Sequence, residues 1–488
     1  MSVFIKFATV YKTRQIYLIS GNVTILSFGL QMGWLSPLQP SLQSDNSPLG
    51  IRPLTTEEIS WIGSLPSVSL ILGSPFFGYS LNRFGRKLTC LIATVPNLIN
   101  YILLLYSKNV YVIYLARLIG GFCSSGGFVM CPIYINETSE TRMRGLLGGL
   151  MGFIIKIGVI FSYVLGSYTS YTTLNLISAL PTIFFLICYF WLPESPVYLV
   201  TQNKREEAIV ALEKLRGSDF KLIEKELNQI DEIIKSDSSA KNISYKCLFT
   251  NVATARGLLI VCGMYTFQML CGYPAIVRYA VNILQNSSSN LSPDVGAIII
   301  AVGQLLACLA GATLIDKLGR KTLVMTSTAI MCINLIIFSG CIFGLSYFET
   351  TKYSDVIKTV PTATLILFIC GYALGYGSVP FVILPELFSP ESRAKASTLA
   401  NICVSLLEFV VVKMYPTISV WLGLGPTFLI FVFNCIVGLI FYYFIMIETK
   451  NLEFETVHKI LSNKSPRVKN IDKEILKPLR YNNDIENK

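Results

Sequence analysis

The chain has 488 residues, 52% of them hydrophobic and only 14% charged, with a formal net charge of +11. A water-soluble domain could not present that composition to solvent, so lipid is its natural environment. The positive charge does not mark a nucleic-acid binder, because Lys and Arg sit between apolar runs instead of gathering on one face with aromatics. The thirteen cysteines lie almost all within apolar runs without CxxC spacing, and they read as small core residues and not as metal ligands or disulfides. The single histidine, His458, falls in the polar C-terminal tail, which excludes histidine-dependent catalysis inside the membrane.

A hydrocarbon core of about 30 Å takes about 20 apolar residues per helix, and backbone groups there must be satisfied within the segment. Residues 1–15 are expected as a cytoplasmic N-terminal tail. Six spans follow at 16–36, 58–81, 89–107, 110–134, 146–166 and 172–192. The first lacks a small-residue cleavage site and leads into another span, so it reads as a span and not as a removable signal. A Pro193-Glu194-Ser195-Pro196 break closes this set. The polar stretch 193–254, with the amphipathic run LIEKELNQIDEII, predicts short surface helices. Six more spans are expected at 255–283, 294–315, 322–345, 361–384, 396–415 and 425–447, then a polar tail over 448–488. The fold class expected is an all-α membrane protein of twelve helices in two six-helix bundles, 16–192 and 255–447.

With the N-terminus inside, the predicted outer loops carry only Arg52, Lys108, Lys352 and Lys358 of the 40 Lys and Arg. Both termini are then cytoplasmic, and a plasma-membrane location is expected. Of the Asn-X-Ser/Thr sequons, those at Asn286 and Asn290 fall on a predicted outer loop and are the glycosylation candidates.

Three polar signatures recur along the chain. Asn82-Arg83-Phe84-Gly85-Arg86-Lys87 is matched by Asp316-Lys317-Leu318-Gly319-Arg320-Lys321. Glu137 with Arg144 seven residues on is matched by Glu386 with Arg393 at the same spacing. Pro193-Glu194-Ser195 is matched weakly by Ile447-Glu448-Thr449. Each pair falls at the same predicted cytoplasmic junction, which argues for a duplicated six-helix unit with a solute pathway between two rocking bundles. The Gly-Arg-Lys turns and Glu/Arg pairs would meet there as charge-assisted hydrogen bonds that hold one conformational state.

These residues, with Arg117 in ARLIGG, Glu386-Leu387-Phe388 and Glu448-Thr449-Lys450, resemble the major facilitator superfamily and, within it, the sugar porter family. The resemblance runs from about residue 16 to 456, and insect facilitative trehalose transporters and animal facilitative glucose transporters look nearest. It implies alternating access by twelve helices, without covalent chemistry. Where the family's seventh helix reads Gln-Gln-x-Ser-Gly-x-Asn, this chain has Gln268-Met269-Leu270-Cys271-Gly272-Tyr273-Pro274. Gln304 takes the place of the eighth-helix Asn. In the tenth helix Gly-Pro-x-Pro-Trp becomes Gly377-Ser378-Val379-Pro380-Phe381. Because a buried hydroxyl left unpaired costs about 1–3 kcal/mol, the lost amides argue against ordinary glucose binding by the family geometry. Gln268, Gln304, Phe381 and Gln31 are the candidate solute contacts, with Tyr273 and Tyr376 among the aromatics that could stack on a sugar ring.

Charges within spans are costly and commonly functional. Lys156 and Arg278 stand in the fifth and seventh spans. Arg278 could face an aqueous cavity and favour an anionic or strongly hydrogen-bonding solute, snorkel, or pair with Glu408. Lys413 reads as snorkelling to the interface. Downhill transport of a hexose or disaccharide such as trehalose is the first reading. A proton-coupled symporter using Glu408 and a non-transporting nutrient sensor are the alternatives. No enzyme activity, metal, cofactor, nucleic-acid partner or required protein partner is expected.

Overall fold

The computed structural model describes residues 24–139, 141–217, 220–239, 245–287, 291–347, 354–450, 452 and 454–462, and every regular element among them is a helix. Ten of these helices are long and apolar enough to cross a membrane. The first, Thr56–Leu105, has 50 residues. At about 75 Å it would be more than twice as long as the hydrocarbon core is thick. It is not one rod. Gly85 inside it has φ 86° and ψ 175°, a region open essentially to glycine alone, and the chain turns there from one helix into the next. Its start is fixed by a capping box in which Thr55 and Glu58 satisfy each other's backbone N–H groups. A helical run over 24–33, continued after Trp34 by Leu35–Leu42, precedes it. The opening residues of the expected first span, 16–23, lie outside the described residues.

Helices Val110–Thr138, Thr141–Tyr168 and Tyr171–Cys188 complete the N-terminal set. The C-terminal set begins with a helix expected as one piece over 255–283, which the structure divides. Val252–Leu270 ends and Tyr273–Asn286 begins at Gly272, where φ is +90° and a Cβ would clash with the Phe431 ring. Only glycine fits that break. Pro293–Leu318 and Arg320–Tyr347 follow. Ser354–Gly371 then runs into a π-helical turn, Tyr372–Tyr376, and resumes as Val379–Leu387. Pro390–Leu422 and Leu424–Phe444 complete the set. Large apolar side chains such as Leu72, Leu180, Leu306 and Phe433 point outward, as a lipid-facing surface requires.

The polar stretch between the sets folds into Pro196–Thr201, Arg205–Arg216, Phe220–Ser239 and Tyr245–Thr250. Leu199, Ala208, Leu212, Ile223 and Leu227 give it a small apolar core of its own. Arg216 ties it to the bundle, pairing with Glu226 at 2.7 Å and donating to the Thr138 carbonyl at 2.8 Å.

Candidate functional site

The repeated signatures fold into two matching clusters at one end of the molecule. In the first, the Glu194 carboxylate accepts from the backbone N–H groups of Arg86 at 2.9 Å and Lys87 at 3.2 Å, while the Arg86 guanidinium pairs bidentately with Glu137. In the second, Glu448 accepts from the N–H groups of Arg320 at 2.9 Å and Lys321 at 3.1 Å, while Arg320 pairs with Glu386 at 3.0 Å. Even lesser contacts recur, because each arginine also donates to a carbonyl five residues back, Leu81 or Ile315. Gly85 and Gly319 have φ of +86° and +87°, and a Cβ on either would lie under 3 Å from the glutamate oxygen it faces. The amides exposed by this turn thus form a nest closed by a carboxylate. Burial pushes the Glu194 carboxyl above its ordinary value, and the N–H groups of Ser195, Lys87 and Arg86 and the Arg86 charge pull it back.

The partners differ in part from those the spacing suggests. Glu386 takes Arg320, and Arg393 instead donates to the Pro385 carbonyl. The Arg83 side chain is exposed and only its carbonyl is used, by the Tyr198 hydroxyl at 3.2 Å. The side chains of Arg144 and Asp316 lie outside the described residues. Among the described residues, the bonds given above for both clusters stay within their own helix set.

Bonds between the two sets are found toward the opposite end. Tyr163 donates to the Val277 carbonyl, and Val281 N–H to Ser36 Oγ at 3.1 Å. Ser167 donates to Asp294 at 3.0 Å. Lys413, expected to reach for the interface, instead donates to Ser60 at 2.7 Å and lies 4.2 Å over the Trp61 ring. Gly63 permits this closure, since a Cβ there would lie 2.6 Å from the Tyr279 hydroxyl and 3.2 Å from Val412.

Between the two ends, four of the candidate solute contacts come together. Gln268 Nε2 donates to the Tyr376 carbonyl at 2.8 Å, which has Pro380, without an N–H, four residues on. The Tyr376 hydroxyl meets that of Tyr442 at 2.8 Å. Gln304 Nε2 donates to the Tyr273 hydroxyl at 3.0 Å, and Lys156 Nζ donates to the same oxygen at 2.9 Å from the N-terminal set. The Tyr273 and Tyr372 rings stack 3.7 Å apart at 4°. The aromatic at 273 therefore fills space beside Gln304 and takes up a hydrogen bond of that amide.

Two candidates stand apart. Gln31 lies among the N-terminal helices, donating to Asn97 at 2.5 Å and accepting from Ser124 at 3.0 Å. Phe381 is 57% exposed and packs edge-on to Tyr265. Arg278 and Glu408 form an ion pair at 2.7 Å, the pairing among the readings left open for Arg278. Asn286 is exposed at its helix end, and Asn290 lies outside the described residues. Asn97 and Thr182, bonded to each other at 2.9 Å, are not among the residues the sequence pattern marks, although a buried amide in an apolar run is itself a signal.

A helical membrane protein with a duplicated charge cluster at one end, and its two helix sets joined toward the other, has the architecture of a solute carrier. The chain belongs to the "Sugar (and other) transporter" family, whose model matches residues 5–461. It is 31% identical over 457 residues to the facilitated trehalose transporter Tret1 of Bombyx mori, covering 93% of this chain and 88% of that protein. The Tret1 of Polypedilum vanderplanki is 28% identical over 475 residues, covering 96% and 92%. Among solved structures, the inward open conformation of the xylose transporter XylE from E. coli superposes with a TM-score of 0.74 at 20% identity, covering 91% of this chain and 98% of that one. That likeness confirms the major facilitator fold.

Proposed function

We infer that this chain is a twelve-helix carrier that moves a sugar of hexose or disaccharide size down its gradient by alternating access. Its bundles are 16–192 and 255–447, joined by the 193–254 linker, with both termini cytoplasmic in the plasma membrane. The turn at Gly85 makes two spans of Thr56–Leu105, and the run from 24 belongs to the first span, which supports twelve. One observation carries the reading: the bundles are internally stapled at the Gly-Arg-Lys end, while bonds between them gather at the other. Two stapled bodies joined at one end can pivot, which is what alternating access needs.

Gln268, Gln304, Tyr273 and Tyr376 form the central contact region, and Arg86, Glu137, Glu194, Arg320, Glu386 and Glu448 brace the bundles as they move. Trehalose, the solute in the names of the Tret1 relatives, is the first disaccharide to assay. The Arg278–Glu408 pair supports downhill flux, since a carboxylate committed to a guanidinium at 2.7 Å is not free to shuttle protons.

The test is counterflow in proteoliposomes of the purified full chain with hexoses and trehalose. Saturable exchange is expected, together with net uptake that survives a protonophore. Net uptake that collapses with the protonophore would move the reading to symport, and binding without exchange would move it to a sensor.

A further inference from the structure

We propose that the sugar carried is anionic, a sugar acid whose carboxylate is held by Lys156 with Tyr273 and Gln304. This rests on the carrier reading and narrows its substrate class. At mid-depth, the Tyr273 oxygen already accepts from Lys156 Nζ at 2.9 Å and from Gln304 Nε2 at 3.0 Å. Its own proton is left to donate, alongside the remaining ammonium protons of Lys156 and the second amide proton of Gln304. Three converging donor groups offer a single amide oxygen as acceptor. A neutral sugar, whose hydroxyls must both give and receive, is poorly matched by such a set. A carboxylate, which only accepts, is matched well.

The charge balance points the same way. Lys156 is partly buried, and among the described residues no carboxylate lies within ion-pair distance of it. Arg117 is also buried. It donates to the carbonyls of Ile62 and Gln31 at 3.2 Å each, with its remaining Nη unpaired. Glu408 is already committed to Arg278. Among the described residues Lys156, Arg117 and Arg278 are matched by one carboxylate, Glu408, although Arg117 also lies 5.2 Å over the Trp34 ring, and Lys413 lies near Glu57. A surplus of positive charge in a low-dielectric interior is costly unless something neutralises it. Lys156 sits where the two helix sets meet, so a solute passing between them can supply that counter-charge. The same placement couples binding to motion, because the carboxylate would replace the Lys156–Tyr273 bond that joins the sets.

The experiment is counterflow of D-glucuronate against D-glucose and trehalose in proteoliposomes of the full chain, comparing wild type with Lys156→Met and Lys156→Arg. Wild type should exchange glucuronate faster than glucose. Lys156→Met should lower the glucuronate-to-glucose exchange ratio by about tenfold or more, the change expected when a charge-assisted bond is lost. Lys156→Arg should keep most of the preference, which separates loss of charge from loss of folding. Glucuronate uptake should also weaken under an inside-negative potential, as movement of a net negative charge requires. Exchange of neutral sugars with exclusion of glucuronate overturns the inference and leaves the carrier reading standing. A glucuronate-to-glucose ratio unchanged in Lys156→Met overturns it as well. Exchange of neither class overturns the carrier reading and the inference with it.

Discussion

Replacing Gly85 with alanine places a methyl group where there is no room for it. The Cβ would overlap a Glu194 carboxylate oxygen and lie 2.7 Å from the Tyr198 ring. The backbone at φ 86° and ψ 175° adds strain of about 1–3 kcal/mol for a residue with a side chain. Glu194 must then swing away from the Arg86 and Lys87 amides, and losing even one hydrogen bond to a charged group costs about 1.5–3 kcal/mol. The low end is about 2.5 kcal/mol, which for a cooperative unit of roughly 150–250 residues lowers the melting temperature by about 5–10 °C. Gly78 is the control, because it lies in the same helix and an added methyl group there would meet nothing within 4 Å. Gly78→Ala should leave melting unchanged or slightly raise it. Thermal unfolding in detergent, followed by size-exclusion with tryptophan fluorescence, measures all of these, and Gly319→Ala should repeat the Gly85 result. A Gly85→Ala protein melting within about 2 °C of wild type would refute the account of the carboxylate-closed turn.

Other expectations concern the far end and the buried pair. Tyr163→Phe removes the bond to the Val277 carbonyl, worth about 1 kcal/mol, and should shift the balance of states about fivefold toward opening there. Spin-label distances between the ends of the Leu35–Leu42 and Tyr273–Asn286 helices would report it, and unchanged distances would count against that bond as a latch. Gly63→Trp wedges an indole between the sets, against Tyr279, Leu35 and Val412. Exchange should stop while the protein stays folded and binds solute, and full exchange would show that this end need not close. Glu408→Gln leaves Arg278 buried without its counter-ion, a loss of about 3–5 kcal/mol, whereas the double variant Arg278→Met, Glu408→Leu should recover folded yield. If both variants are equally poor on size-exclusion, the pair does more than balance charge.

The Gly-Arg-Lys end of this molecule was legible in the sequence; its centre and its far end were not. The Gly-Arg-Lys turns and the two matched glutamate positions could be paired by spacing because each cluster is short-range chemistry repeated: a glycine-only turn, two exposed amides and a carboxylate to cap them. The sequence did not reveal which arginine each glutamate takes. Arg393 is close to Glu386 along the chain, but the turn delivers Arg320 to it from a different helix. The break at Gly272 was hidden for a related reason. Hydropathy runs unbroken across it, and the helix divides where Pro274 cannot donate to a helical carbonyl and the Phe431 ring packs against Gly272.

At the centre, reading the chain against the family pattern registers amides lost at Met269 and Pro274 and leaves Tyr273 unmarked. In space Tyr273 takes a central part: its hydroxyl accepts from two donors, Gln304 and Lys156, and its ring stacks on Tyr372. One of those donors, Lys156, comes from 117 positions away on the other helix set, so no local pattern could have paired them. The end clusters must fit a fixed backbone geometry twice and stay alike. The central groups carry no such repeat, and among the described residues they are a set of donors around Lys156, with no carboxylate within ion-pair distance of it.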